Sequence, residues 1–514
     1  MASAGPHVLS IDQGTTGTTC LVIAADGRVV GRAYREITQH YPQPGWVEHD
    51  PVEILDRTLE AAREAVAASG VVPVAIGITN QRETVVVWER SRPRSGPRAI
   101  VWQDRRTAAR CAELAPHAAS VAATTGLTLD PYFSATKIEW LLQAQGWTER
   151  ARRGEVLAAT IDSWLIWHLT GGHVYATDPT NASRTSLYDI GSGGWSDAMC
   201  ELFGVPRAAL PDVRRSSGDF GVVDAAVVGG PAGHTIPITG VAGDQQAALF
   251  GHGCCTAGEG KNTYGTGAFL LLHTGTRRPV VERATGLLTT IACDPRGGAA
   301  YALEAAIFVA GAAIQWLRDG LGIIAQASET EAMARSIVST DGVVFVPALT
   351  GLGAPHWEPH ARGTIFGLTR GATRAHLARA ALEAMAYSTN EVLATMNRQS
   401  GDGPGAFERL RVDGGASQND WLMQFQADVL GVPVERPSMV EATALGAAGL
   451  AGLSAGVWPD VETFVGQRPV TRFVPGPGRA AAQSGVREWN RAVGAVLEWA
   501  RADGRANPHG GAAS

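Results

Sequence analysis

Short apolar runs broken by turn residues open the chain. Val8-Leu9-Ser10-Ile11 reads as a buried strand, Cys20 to Ile23 as a second, and Val29-Val30 as a third after a turn at Asp26-Gly27. Runs of this length and spacing predict a meander of antiparallel strands. Val72 to Ile78 predicts a further strand, which Thr79-Asn80-Gln81-Arg82-Glu83 interrupts and Thr84 to Trp88 resumes. From Ser134 to Gln145 the period becomes helical, with Ile138, Leu141 and Leu142 on one face. Ile236 to Val241 predicts a strand that runs into Ala242-Gly243-Asp244-Gln245-Gln246 and a helix.

The opening pattern recurs about 250 residues later, where Asn262-Thr263-Tyr264-Gly265-Thr266-Gly267 leads into the apolar stretch Ala268 to Leu272. Two glycine-threonine hairpin turns predict two related halves, 1–250 and 251–502, each giving one turn to a shared cleft. Thr373 is a good N-cap for a helix to about Arg398, with Leu377, Ala381 and Ala384 on one stripe. A helix carrying Leu422, Phe425 and Val429 on one side stops at Gly431, with Pro433 just beyond. The last residues, 503–514, are Gly-, Ala- and Asn-rich and predict a frayed tail.

Composition narrows the class. The chain has 514 residues, 45% hydrophobic and 18% charged, with 43 basic and 49 acidic side chains. That balance suits a globular protein with large cores and disfavours disorder or a basic nucleic-acid arm. No apolar run approaches the ~18 residues of a membrane span, and Met1 to His7 lacks the pattern of a secretory signal. Six cysteines without zinc spacing are too sparse for a disulfide scaffold and point to a reducing, cytoplasmic location. The sequon Asn181-Ala182-Ser183 is then a coincidence. Only two lysines occur, Lys137 and Lys261.

Several segments have the makings of a site. Asp12 to Thr16 forms a tight turn whose N–H groups suit phosphate oxygens and whose Asp suits Mg²⁺, although hairpin turns use the same residues. Gly265-Thr266-Gly267 has the same standing. Asp413-Gly414-Gly415-Ala416-Ser417-Gln418-Asn419 places paired glycines before a helix, as an anion site or as an ordinary loop-to-helix cap. Arg82 and Glu83 serve one ligand only if the chain turns between them; otherwise they are a surface pair of little consequence. Trp102 and Phe269 offer flat walls for a small polyol, or simply fill a core. Asp244 ends a strand beside a glycine, where open α/β sheets place ligand groups, or caps the following helix. Asp219-Phe220-Gly221 lacks the other protein-kinase motifs, and Gly260-Lys261 lacks the rest of a P-loop.

Taken together, these blocks resemble the FGGY family of carbohydrate kinases, which shares the ATPase fold of actin and Hsp70. The resemblance spans roughly residues 8 to 500. It rests on Asp12 to Thr16, Tyr41 to Asp50, Gly77 to Thr84, Asp130 to Ser134, Gly243 to Gly251, Asn262 to Gly267 and Gly363 to Gly371. Gln81-Arg82-Glu83-Thr84 and Gly243-Asp244-Gln245-Gln246 resemble the members that phosphorylate glycerol. The resemblance implies an α/β fold of two actin-like ATPase (ribonuclease H-like) domains flanking a deep cleft. The first domain would bind glycerol and phosphate and the second the nucleotide.

The resemblance also implies roles. Asp244 would be the general base, and Asp12 and Asp244 the carboxylates near Mg²⁺. Arg82, Glu83, Trp102, Tyr132, Asp244, Gln245 and Phe269 would line the glycerol pocket. Thr15, Thr16, Gly17 and Thr266 would hold phosphates, and Gly311, Gln315, Gly415 and Asn419 the rest of ATP. The implied reaction gives sn-glycerol 3-phosphate and ADP, the first step of glycerol utilisation. No nucleic-acid partner is implied, and the assembly would be a homodimer or homotetramer. The competing expectations are a kinase for erythritol, dihydroxyacetone or xylulose, and a silent ATP clamp. Two departures stand out: many relatives carry Arg where this chain has Thr19, and Gly229–Thr235 lacks the Arg of the fructose 1,6-bisphosphate loop in enteric members.

Overall fold

The N-terminal meander is one side of a six-stranded sheet. In this computed structural model, which describes residues 5–400, 407–438, 441–466 and 468–506, β1 (His7–Gln13), β2 (Gly17–Ala24) and β3 (Val29–Glu36) pair antiparallel. On its other edge β1 runs parallel to β4 (Ala75–Asn80). Next come β5 (Val222–Asp224) and β6 (Thr235–Gly243), in the order β5-β6-β4-β1-β2-β3. The parallel strands are buried on both faces, which explains why β1 and β4 read as near-continuous apolar runs.

A second sheet repeats this plan with seven strands. They are β7 (Glu259–Tyr264), β8 (Ala268–Gly275), β9 (Leu288–Cys293), β10 (Ala299–Ile307), β11 (Arg409–Gly414), β12 (Val434–Pro437) and β13 (Val470–Phe473). Their order is β9-β10-β8-β7-β11-β12-β13. The antiparallel run β7-β8-β10 with parallel β11 and β12 mirrors β1-β2-β3 with parallel β4 and β6. The two halves expected from the paired turns are therefore present as two sheets of matching topology, each over its own large core.

Helices fill the remaining layers. α1 (Pro51–Ser69) is capped by the Asp50 side chain, which accepts from the Val52 and Glu53 N–H groups, and ends at a left-handed Gly70. α2 (Ser134–Ala144) buries Ile138, Leu141 and Leu142 as its periodicity predicts. α3 (Asp244–Gly251) follows β6 directly, and α4 (Gly311–Gln315) follows β10. α5 (Arg374–Gln399) begins with a reciprocal cap between Thr373 and His376. α6 (Asp420–Leu430) starts on the Asn419 side chain and stops at left-handed Gly431.

One expectation needs correction. The strand after Arg82 and Glu83 does not resume β4: Val85–Glu89 belongs to a separate four-stranded sheet with Glu48–His49, Ala99–Ile100 and Val156–Thr160. Packing also crosses the expected boundary at residue 250. α7 (Ala442–Ser454) returns to the first sheet, where Ser10 Oγ donates to the Ala444 carbonyl at 2.6 Å. Its Gly446 lies so close to α3 that a Cβ would run into the Ala247 carbonyl. Of the expected tail 503–514, residues 503–506 are the end of the last helix, and residues 507–514 lie outside the described residues. All six cysteines are free and buried. Asn181 of the sequon is fully buried and bonded to Asn80 and Asp178, so the folded chain offers no glycan acceptor there. Among the described residues no helix is long and apolar enough to cross a membrane.

Candidate active site

Register brings the first set of residues together. Gln13 pairs with Asn80, and Asn80 with Gly243, so the three parallel strands β1, β4 and β6 end at one level. Ligand groups in open α/β sheets gather at such carboxyl ends. Asp12 lies there on β1, Arg82 and Glu83 just beyond β4, and Asp244 just beyond β6. The turn that Arg82 and Glu83 require is present: Glu83 has a φ of 62°. That left-handed residue, between strands of different sheets, is what lets two neighbours serve one place.

Arg82 is the hub. Its Nη1 donates to Glu304 Oε2 at 2.7 Å and to Gln246 Oε1 at 3.2 Å, and its Nη2 to Glu304 Oε1 at 3.1 Å and the Tyr132 hydroxyl at 3.5 Å. Its Nε faces Asp244 Oδ1 at 3.2 Å and Glu83 Oε1 at 3.7 Å, with no hydrogen-bond partner. Arg184 Nε donates to Glu83 at 2.6 Å and Arg184 Nη2 to Glu304 at 3.0 Å. Burial alone would raise the Glu304 proton affinity, but Arg184 and Arg82 outweigh it and hold the carboxyl down at about 2.

The two carboxylates expected near a cation are both shifted upward by burial. Burial, then Asp244, then Glu441 push Asp12 up to about 7. Burial also raises Asp244, against the pull of Arg82. About a third of the Asp244 side chain is open to the cleft. Thr19 stands directly opposite Asp12 across the β1–β2 hairpin, so that position offers Asp12 no cation.

The second sheet presents the facing wall. Thr263 pairs with Phe269 and with Asp413, and Lys261 and Glu304 both pair with Leu271. Cross-strand partners share a face and residues two apart on a strand repeat it, so Lys261, Thr263, Phe269, Glu304 and Asp413 share one side. Lys261 Nζ donates to Gln245 Oε1 at 2.5 Å and to Thr263 Oγ1 at 2.8 Å, which turns the amide nitrogen of Gln245 the other way. Burial lowers the Lys261 pKa, against Asp413 and Asp244. The other lysine, Lys137, is also buried at this site, donating to the Tyr132 carbonyl at 2.8 Å, and burial brings it down to about 7. Trp102 meets Tyr132 edge-on at 5.7 Å.

The nucleotide candidates divide between the lobes. Thr266, Gly311, Gln315, Gly415 and Asn419 line one cavity of about 440 Å³ on the second lobe, together with Arg318. Gly414, the residue before Gly415, has a φ of 84° and lies against the Tyr264 carbonyl, which leaves no room for a Cβ. Thr15, Thr16 and Gly17 lie instead in the first-lobe hairpin, closed by the Gly14 N–H to the Gly17 carbonyl. Sequence reasoning missed Glu304, Arg184 and the place of Lys261. Glu304 had a signal, as a lone carboxylate inside the apolar run Ala299–Ile307, since a buried charge must be paired.

The duplicated sheets, with ligand groups at their strand ends, define the two-domain actin-like ATPase fold. The N-terminal domain signature of the FGGY family of carbohydrate kinases matches residues 7–251 and the C-terminal domain signature matches residues 260–455. A glycerol kinase from Aromatoleum aromaticum is 52% identical over 503 residues, 96% of this chain and 100% of that protein. One from Haemophilus influenzae is 49% identical over 97% of this chain and 99% of its own. The crystal structure of Plasmodium falciparum glycerol kinase with ADP superposes with a TM-score of 0.90 at 35% identity, covering 96% of this chain and 98% of that one. A xylulose kinase from Lactobacillus acidophilus, with a TM-score of 0.84 at 18% identity over 96% of this chain and 98% of that one, shares the fold. The chain belongs to the FGGY family of carbohydrate kinases.

Proposed function

We propose that the protein transfers the γ-phosphoryl group of ATP to a terminal hydroxyl of glycerol, giving sn-glycerol 3-phosphate and ADP. The observation that carries this is the cluster of Arg82, Glu83 and Asp244 at the strand ends, level with the Asp12–Gly17 turn. An ATP clamp without an acceptor has no use for such a cluster. Relatives named as glycerol kinases, about half identical over nearly the whole chain, support the same reading.

Arg82 and Glu83 offer a donor and an acceptor to adjacent hydroxyls, which a site built for hydrogen bonding selects strongly. Trp102, Tyr132 and Phe269 cover the carbon face. Thr15, Thr16, Gly17 and Thr266 hold phosphates from the two turns, and the second-lobe cavity takes the rest of ATP. Phosphoryl transfer has a loose transition state, so positioning and charge neutralisation carry most of the catalysis. Asp244 accepts the hydroxyl proton late, after the acceptor has begun to bond to phosphorus. Closure of the two lobes excludes water.

A cation fits this site. Among the described residues no group of three or more His, Cys, Asp or Glu forms an all-protein cage, but Mg²⁺ commonly uses one or two carboxylates with substrate phosphates. Asp12, whose proton affinity burial and the Asp244 charge raise, and Asp244 suit it. Mg²⁺ bound there would neutralise phosphate charge. The buried free thiols suit a reducing compartment, which supports a cytoplasmic setting. A homodimer or homotetramer belongs to the same reading and is checked by light scattering. The deciding assay compares kcat/KM for glycerol, erythritol, dihydroxyacetone and xylulose. Glycerol is expected to lead, and a higher value for any other acceptor would overturn the assignment.

A further inference from the structure

Arg82 and Arg184 are buried, and both come from the first lobe, yet the carboxylate that joins them comes from the second. Glu304 lies on β10, gives one oxygen to Arg82 Nη1 at 2.7 Å, and shares the other between Arg82 Nη2 at 3.1 Å and Arg184 Nη2 at 3.0 Å. Arg184 in turn holds Glu83, the neighbour of Arg82, at 2.6 Å. Both terminal nitrogens of Arg82 are thereby occupied. Only Nε is left without a hydrogen-bond partner, and it is the nitrogen that faces Asp244.

We propose that Glu304 is a positioning residue for the acceptor pocket, holding Arg82 and Arg184 so that Arg82 presents Nε–H beside Asp244 and Glu83 stays in place. A guanidinium forms its strongest contacts through two parallel N–H bonds to a carboxylate. Near Arg82 there are three carboxylates: Glu304, Glu83 and Asp244. Glu304 takes the paired contact. With its charge removed, Arg82 turns its terminal nitrogens to Asp244 and occupies the oxygen that must accept the hydroxyl proton. Arg184 and Arg82, two buried cations sharing one counter-ion, also separate, and Glu83 moves with Arg184. Because the counter-ion sits on the opposite sheet, the pocket holds its working shape only while the lobes are together.

This inference rests on the reading of Arg82, Glu83 and Asp244 as the glycerol site, and the experiment separates the two. Steady-state kinetics of wild type, Glu304→Gln and Glu304→Asp are measured with glycerol and ATP varied in turn, alongside ADP binding by calorimetry. Loss of one partner of a buried ion pair predicts a glycerol KM about tenfold or more higher in Glu304→Gln, with lower kcat. The ATP KM and ADP affinity stay at wild-type values. Glu304→Asp, which keeps the charge, falls between, and carries the test should the Gln variant not fold. Wild-type glycerol KM and kcat in both variants would overturn the positioning role. So would a parallel weakening of ATP and glycerol, the mark of a merely structural residue. A wild-type enzyme without glycerol-dependent turnover would instead overturn the assignment of function.

Discussion

Trp102 donates its indole N–H to the Thr15 hydroxyl at 2.9 Å. The same ring packs against Tyr132, whose hydroxyl lies 3.5 Å from Arg82 Nη2. One aromatic side chain thus joins the wall of the acceptor pocket to the first phosphate turn. Trp102→Phe keeps the wall and loses the tie. One hydrogen bond of this kind is worth ~1 kcal/mol, so kcat is expected to fall about fivefold while the glycerol KM changes little. Trp102→Ala removes the wall as well and raises the glycerol KM. Steady-state kinetics of both variants check the split.

Thr19 and Asp12 face each other across the β1–β2 hairpin. Thr19→Arg puts a cation beside the phosphate turn without entering the core, since Thr19 is half-buried. The ATP KM is expected to fall about two- to fivefold, and the gain to shrink in high salt, as for any exposed charge pair. Kinetics at two ionic strengths measure it.

At Gly415 a Cβ meets no atom of the protein within 4 Å, yet the residue lines the second-lobe cavity. Gly415→Val is therefore expected to leave the melting temperature close to wild type and to raise the ATP KM about tenfold by crowding the nucleotide. Glycerol KM stays near its original value. Thermal unfolding and ATP titration together test this.

Glu304 also makes an acid-stability prediction. Its carboxyl is held at about 2, below the ordinary 4.5. A group depressed on folding contributes stability that is complete above its unfolded value and is lost as pH falls through its folded value. Wild type is therefore expected to lose stability between pH 4.5 and 2 more steeply than Glu304→Gln. Denaturant midpoints across that window show the difference, and parallel slopes would refute it.

Local chemistry was legible in the sequence where a residue's role is set by its neighbours in the chain. The turns at Asp12–Thr16 and Gly265–Gly267, the strand-end position of Asp244, the cap at Thr373 and the stop at Gly431 all depend on adjacent residues, and all are found where expected. Long-range pairing was not. Arg184 and Glu304 meet across 120 positions, and nothing next to either names the other. α7 reads as buried on every side, but a sequence of Ala, Gly and Leu does not say which sheet it covers, and it covers the first. The break after β4 likewise hid a change of sheet, because the apolar pattern on both sides is the same.

The central claim is that Asp244 faces an alcohol beside the phosphates of ATP, and one assay meets it head-on. ADP release from Mg²⁺ and ATP is followed with and without glycerol, for wild type and Asp244→Asn, with ADP affinity measured on both proteins. A general base contributes ~10² to 10⁴-fold. The account predicts glycerol-dependent ADP release by wild type, a loss of that size in kcat for the variant, and unchanged ADP binding. Turnover of Asp244→Asn within a few-fold of wild type, or ADP release by wild type that ignores glycerol, would contradict it.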